Sequence, residues 1–290
     1  MAGTAMPTEL ATSITRPRYW RQKRLLYCVL SVLLLYGAGI GLGMPVATPF
    51  DVLVNLPPIS SEVDLLQRPD AKHTLVVLQH GLWRSSWSMW RLERALLAAG
   101  YSVLNPCYPS TNGTLSAHAL RLRDAIEAQI AAHGEYQHVA FVGHSMGGLV
   151  IEEYLRLASA RTPFRCIYIA TPHRGAVLCD LRKNWWPYPF FMGTEAAMQI
   201  SPGDPFHQQP ILFADCSGTI IGDIGEGSES IKGHDDGTVG TGEAALAGAV
   251  DSVTLPFGHT AISEREAMLT QVLHFLREGK ISQSAVPVTR

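Results

Sequence analysis

Residues 139–150 read VAFVGHSMGGLV. An apolar run ends at Val142, then come Gly143, His144, Ser145, Met146, Gly147 and Gly148, and apolar residues resume at Leu149. Glycine destabilises both strands and helices, so three of them around one serine point to a backbone path that larger residues could not follow. Val139, Phe141 and Val142 have the β-branched and aromatic character of a buried strand. Leu149, Val150, Tyr154, Leu155 and Leu157 give the apolar side of a helix, with Glu152, Glu153 and Arg156 interspersed. A strand that feeds straight into a helix through a sharp turn holds the turn residue, Ser145, in a strained conformation. Gly143 and Gly147, two residues to either side, leave room for close approach of neighbouring backbone.

Outward from this stretch, strand-like and helix-like segments alternate. HTLVVLQ (73–79), YSVLN (101–105), HVAFVG (138–143), RCIYIA (165–170), GTIIGD (218–223) and DSVTLPF (251–257) read as strands. Residues 87–99, 115–132, 146–159 and 261–277 carry helical spacing. Such alternation implies right-handed crossovers and a mostly parallel sheet with helices on both faces. Chemistry in these sheets gathers at the carboxyl ends of the strands. The loops there are informative. QHGLWRSSW (79–87) follows the first strand, GEGSESIKGHDDGTVG (225–240) follows the fifth, and LPFGHTAIS (255–263) closes the last.

These motifs together resemble the α/β-hydrolase superfamily. Gly143-His144-Ser145-Met146-Gly147 has the Gly-x-Ser-x-Gly form of its nucleophile elbow. His80-Gly81-Leu82 resembles the His-Gly-x signature of lipases and esterases, and Asp236-Gly237-Thr238-Val239 resembles the Asp-Gly-x-Val stretch of many bacterial lipases. The order Ser145, Asp236, His259 is the superfamily's triad order. NPCYPS (105–110) and ATPHRGA (170–176) resemble loops of bacterial serine lipases and esterases related to GPI-inositol deacylases. The resemblance spans about residues 73–277.

It implies a carboxylic-ester hydrolase that needs no metal or organic cofactor. Ser145 is then the nucleophile, His259 the base and Asp236 the carboxylate that orients it. The Leu82 and Met146 amides are the expected oxyanion-hole donors. His144 and His80 are expected to be structural. The early antiparallel hairpin of the superfamily is missing, because residues 46–69 offer at most one poor strand. About six strands are therefore expected. The same triad would serve an acyltransferase, in which an alcohol replaces water. An envelope interaction protein without catalytic activity is the alternative from another class.

Composition sets outer limits. The chain has 290 residues, 47% hydrophobic and 17% charged, with net charge −2. It fits a globular protein with an apolar addition and excludes a disordered chain or a nucleic-acid binder. The addition is at the start: residues 25–50 carry no charge, and residues 25–44 would span about 30 Å as a helix. Arg16, Arg18, Arg21, Lys23 and Arg24 precede them against one acid, Glu9. The positive-inside rule keeps that end cytoplasmic and exports the rest. The expected organisation is a basic tail (1–24), a transmembrane anchor (25–47), a Pro-rich linker (48–72), a catalytic domain (73–279) and a tail (280–290). A cleaved signal peptide, giving a secreted protein, is the alternative. The expected partners are the membrane and a lipid or other ester substrate.

Residues 176–210 are read as a lid-like insertion. They contain NWWPYPFFM (184–192), whose Trp185, Trp186 and Phe190, together with Trp83, are candidate substrate-binding residues. Packing into a satellite core and contact with a membrane interface are the other readings of this cluster. Cys107, Cys166, Cys179 and Cys216 lie in the exported body and allow three pairings. None has metal-ligand spacing, and no bridge is assigned.

Overall fold

The computed structural model describes residues 71–184 and 195–281. The expected anchor, the linker up to residue 70, residues 185–194 with their aromatic cluster, and the tail from 282 lie outside the described residues. Among the described residues no helix is long and apolar enough to cross a membrane.

Six strands form one sheet: β1 (Thr74–Gln79), β2 (Ser102–Leu104), β3 (His138–His144), β4 (Arg165–Ile169), β5 (Ser217–Gly222) and β6 (Asp251–Leu255). Their order is β2-β1-β3-β4-β5-β6 and every pairing is parallel. The period-2 alternation of the strands divides them between two cores. Leu75, Val77, Val139, Phe141, Cys166 and Tyr168 face one core. Val76, Leu78, Ala140, Val142, Ile167 and Ile169 face the other. Both faces are covered, which is why the central strands read as unbroken apolar runs. The terminal strand β6 instead alternates between partly buried and exposed positions before Leu255.

The first core is closed by α2 (Leu115–His133) and α3 (Met146–Leu155). Helix α2 starts at Thr114, whose side chain accepts from the Ala117 amide, and buries Leu115, Ala119, Leu122, Ile126 and Ile130. The second core is closed by α1 (Trp90–Ala98), through Leu92 and Leu96, and by a long C-terminal helix. Between these lie three short helices, α4 (Val177–Arg182), α5 (Ala196–Gln199) and α6 (Thr241–Ala244). The C-terminal helix α7 (Glu266–Glu278) ends at Gly279, in the left-handed conformation at φ 72°, as a C-terminal glycine cap should.

Several boundaries differ from those read in the sequence. Helical spacing placed residues 261–277 in one helix. The chain instead makes a 3-10 turn at Ala261–Glu264, extends at Arg265 (φ −82°, ψ 136°) and only then enters α7. Ile262 is buried in the same core as α7, so its apolar character was counted into the helical period. Similarly, residues 87–99 divide into a 3-10 turn, Ser86–Met89, and α1, and the helix expected to 159 stops at Leu155. Within the expected insertion, Ala176, Ala196, Ile200 and Phe206 join the first core.

The glycines of the opening stretch mark close approaches. A Cβ on Gly147 would stand 2.1 Å from the Gln79 carbonyl oxygen and 2.5 Å from that of His80. One on Gly143 would meet the Gly148 backbone at 2.6 Å, and one on Gly148 would meet Thr171 Oγ1 at 2.1 Å. Gly147→Ala is therefore expected to lose about 3 kcal/mol of stability or more, since the obstruction is backbone that cannot rotate away. Gly242 in α6 has nothing within 4 Å of its missing Cβ, so Gly242→Ala should be neutral or slightly stabilising. Urea denaturation of the two variants checks both; equal midpoints would refute the steric account.

Candidate active site

The serine turn follows from this packing. Ser145 has φ 55° and ψ −129°, a positive φ that side chains other than glycine rarely adopt. Such a residue is strained by on the order of 1–3 kcal/mol and persists only where its surroundings hold it. Here the Ser145 amide donates to the carbonyl of Ile169 at the end of β4, at 2.9 Å, while the Gly148 amide bonds the Ser145 carbonyl at 3.0 Å. Ser145 is the residue at which β3 ends and α3 begins.

Two other loops reach this serine. His259 lies beyond β6 with Nε2 2.9 Å from Ser145 Oγ, and its Nδ1 is 2.7 Å from Asp236 Oδ2. The Asp236 and His259 side chains are 1% and 13% exposed, so the contact between them is largely dry. The backbone reinforces the pair, because the His259 amide donates to the Asp236 carbonyl at 2.8 Å. Gly222, the last residue of β5, makes room for both loops: a Cβ there would stand 2.7 Å from the Phe257 carbonyl and 2.8 Å from Asp236 Cβ.

The two adjacent acids have separate partners. Asp236 Oδ1 accepts the amides of Thr238 (2.9 Å) and Val239 (2.7 Å), leaving Oδ2 for the imidazole. Asp235 accepts the amides of Ser228 (3.0 Å) and Gly237 (2.5 Å) and is fully buried. Gly237 takes φ 90°, the left-handed turn that lets the loop close beneath Asp236.

The loop after β1 completes the arrangement. A Cβ on Gly81 would lie 3.0 Å from Ser145 Cβ, so this backbone packs directly on the serine. Leu82 follows it, and the Met146 amide is the first of α3 and points out of the helix start. Neither amide has a hydrogen-bond partner among the described residues. Trp83 sits at φ 62°, with its amide on Ser110 Oγ at 3.0 Å.

Sequence reasoning missed how this loop is supported. The ring of Tyr108, from NPCYPS, stacks on His80 at 4.3 Å, and its hydroxyl donates to the His80 carbonyl at 2.8 Å. His80 is fully buried and burial pushes its pKa down to about 3. Its Nδ1, 3.0 Å from the Gly81 carbonyl, must carry the proton, leaving Nε2 to face the Tyr108 amide at 3.4 Å. Burial likewise holds His144 well below the ordinary imidazole range, with the nearby His259 adding to the effect. His144 Nε2 donates to the His259 carbonyl at 2.9 Å. Both histidines are neutral structural donors, as their sequence positions suggested.

A second buried pair was also missed. His173 Nδ1 lies 2.6 Å from Glu152 Oε1, both side chains 1% exposed, with Arg156 Nη2 3.7 Å from the other carboxylate oxygen. It joins the ATPHRGA loop to α3. The available signal was Glu152 itself, three residues from Leu149 and Leu155 on the inward side of α3. Trp185, Trp186 and Phe190 lie outside the described residues. Among the described residues, no group of three or more His, Cys, Asp or Glu could hold a metal ion.

Residues 75–263 match the family model described as "Alpha/beta hydrolase family". The chain belongs to the alpha/beta hydrolase family. Among solved structures it is similar to lipase BlEst2 of Bacillus licheniformis in mature form, with TM-score 0.57 and 23% identity over 73% of this chain and 94% of that one. It is also similar to the lin2722 product of Listeria innocua, with TM-score 0.51 and 16% identity over 72% and 98% of the two chains. No curated protein matches the sequence. At these identities the likeness is one of fold.

The loop that carries Asp236 has its own titrating clasp. His234 Nδ1 lies 2.8 Å from Asp223 Oδ2, and Asp223 also accepts the Gly225 amide at 2.7 Å. The bond to Asp223 holds His234 above its usual 6.5, and the reciprocal bond holds Asp223 below 3.8. The histidine's contribution is complete below pH 6.5 and fades as pH rises through its raised value. The carboxylate's contribution is complete above 3.8 and fades as pH falls through its lowered value. The pair is exposed, so the effect is small. The melting-temperature difference between wild type and His234→Gln should be largest near about pH 6 and vanish by about pH 9. A difference independent of pH would refute the clasp.

Proposed function

We propose that the protein is a carboxylic-ester hydrolase, a lipase or esterase, acting through Ser145, His259 and Asp236. The observation that carries this reading is the continuous pair of hydrogen bonds, Ser145 Oγ to His259 Nε2 at 2.9 Å and His259 Nδ1 to Asp236 Oδ2 at 2.7 Å. Membership of the alpha/beta hydrolase family supports the hydrolytic class.

The chemistry follows from the proton positions. Asp236 accepts a hydrogen bond from Nδ1–H, so the Nε2 lone pair faces the serine hydroxyl. As Oγ bonds to the ester carbonyl carbon, His259 takes its proton, and Asp236 stabilises the imidazolium that forms. The carbonyl oxygen becomes an oxyanion facing the unpartnered Leu82 and Met146 amides, a type of contact worth about 3 kcal/mol per donor. His259 then protonates the departing alcohol. Water attacks the acyl-enzyme with the same base and releases the acid, restoring Ser145.

The substrate in this reading is a lipid or another ester, and Trp83, Trp185, Trp186 and Phe190 are the residues proposed to bind it. The uncharged stretch at 25–44 behind its basic flank supports an N-terminal anchor, with the catalytic domain outside the cytoplasm. A fusion of alkaline phosphatase to the C-terminus in a bacterial host should accordingly be active and remain membrane-bound after carbonate washing. An inactive fusion overturns the orientation, and a shortened soluble product shows a cleaved signal peptide.

Ser145→Ala should abolish both p-nitrophenyl ester turnover and labelling by a fluorophosphonate while the protein stays folded; undiminished turnover would overturn the assignment. Added alcohol should not divert the acyl group from water; preferential ester formation would identify an acyltransferase. Asp236→Asn should lower kcat by on the order of 10⁴. Asp235→Asn should act mainly on the stability of the loop, with kcat within about tenfold of wild type. Reversed losses would place the orienting carboxylate at Asp235.

A further inference from the structure

Two thiols meet at the opposite end of the sheet from the proposed triad. Cys166 is the second residue of β4 and is fully buried, while Cys216 ends the 3-10 turn Ala214–Cys216 that leads into β5 and is partly exposed. The two strands pair with Cys166 opposite Ser217. Cys216 is therefore the diagonal neighbour of Cys166. With strands about 4.8 Å apart and a rise of about 3.3 Å per residue, that diagonal places the two Cα atoms roughly 6 Å apart. Disulfides span roughly 4.4–6.8 Å between Cα atoms. The side chains share a face, since the Cys216 thiol and the Ser217 hydroxyl both donate to the Phe213 carbonyl, at 3.4 and 2.6 Å, and Ser217 is the residue opposite Cys166.

We propose that Cys166 and Cys216 are a thiol–disulfide pair that cross-links β4 to the entry of β5 when a disulfide oxidant is present. The two sulfurs have different parts in the exchange. Cys216 is the accessible one, so an external disulfide meets its sulfur first, and the neighbouring Cys166 holds its thiol below the ordinary range. Burial pushes the Cys166 thiol well up, which suits a resolving group that is protected until its partner has reacted. The Cys216 thiolate attacks an external disulfide such as oxidised glutathione, forming a mixed disulfide and expelling one glutathione thiolate. Cys166 then gives up its proton and attacks the Cys216 sulfur, expelling the second glutathione. The protein loses two hydrogen atoms, and one oxidised glutathione becomes two reduced ones.

The bond would close a loop of about 50 residues between the two strands, lowering the entropy of the unfolded chain enough to raise the melting temperature by roughly 10 °C. It lies at the amino ends of β4 and β5, away from Ser145 at the carboxyl end of β3, so ester turnover should not change. The inference therefore does not depend on the proposed catalytic role.

The full-length chain, purified in mild detergent, should be incubated with oxidised glutathione, alkylated under denaturing conditions, digested and examined by mass spectrometry. A peptide cross-linked through Cys166 and Cys216, two hydrogens lighter than the sum of its parts, is expected. A melting temperature raised by roughly 10 °C and reversed by dithiothreitol should accompany it, and Cys216→Ser should lose both. Alkylation of both cysteines after oxidation, a stable glutathione adduct on Cys216, or the same thermal gain in Cys216→Ser would each overturn the proposal.

Discussion

The approach of Gly147 to the end of β1 is the contact on which the site depends. With 2.1 Å between a would-be Cβ and the Gln79 carbonyl, no other residue fits there without moving the strand or the helix. Because α3 can lie that close, its first turn sits against the loop carrying His80, Gly81 and Leu82. On the other side of β3, the Ser145 amide is held by Ile169 of β4. The positive φ of Ser145 is thus fixed from both neighbouring strands. A strained serine is stable here because β3 lies inside the sheet; on an edge strand one of those two holds would be missing.

Burial and partners set the histidines around this serine apart. His80 and His144 face backbone carbonyls and have no carboxylate partner among the described residues, so desolvation keeps them uncharged. His259 touches Ser145 and a buried carboxylate. In the proposed proton transfer from Ser145, the carboxylate of Asp236 would stabilise the positive charge on His259. His144 still holds the His259 loop through its carbonyl. The same residue type serves as a hydrogen-bonding strut or as the proposed base according to what its second nitrogen meets.

Much of this was legible because it is local. The six strands carry their own alternation or apolar runs, and Gly237 beside Asp236 separates two adjacent acids by turn chemistry alone. The loops after β1, β3, β5 and β6 bear their motifs in a fixed order. What stayed hidden depends on contacts between distant segments. Nothing near Glu152 announces His173, 21 positions away, as its partner, and the stacking of Tyr108 on His80 needs β1 and β2 to be adjacent first. Cys166 and the segment holding Cys216 are neighbours only because of the β4–β5 register. Periodicity also misjudged Arg265, because Ile262 is buried on the same side as α7 and apolar spacing does not register an extended residue between two helical turns.

The loop from β5 shows how a long, glycine-rich connection can still present one carboxylate accurately. Left to itself, such a segment would fluctuate, since its glycines have the most conformational freedom to lose. Asp235 gathers the loop from inside by binding the amides of Ser228 and Gly237, on either side of it in sequence. Its backbone is fixed as well, by bonds with Ile224 and Gly225. Asp236 then begins from an anchored position, and two amides occupy the carboxylate oxygen that does not face His259. That division restricts the carboxylate to one rotation about its terminal bond, with Oδ2 on Nδ1 of the imidazole. The neighbouring acids therefore act in series: one shapes the backbone, and the other, aimed by that backbone, meets the histidine.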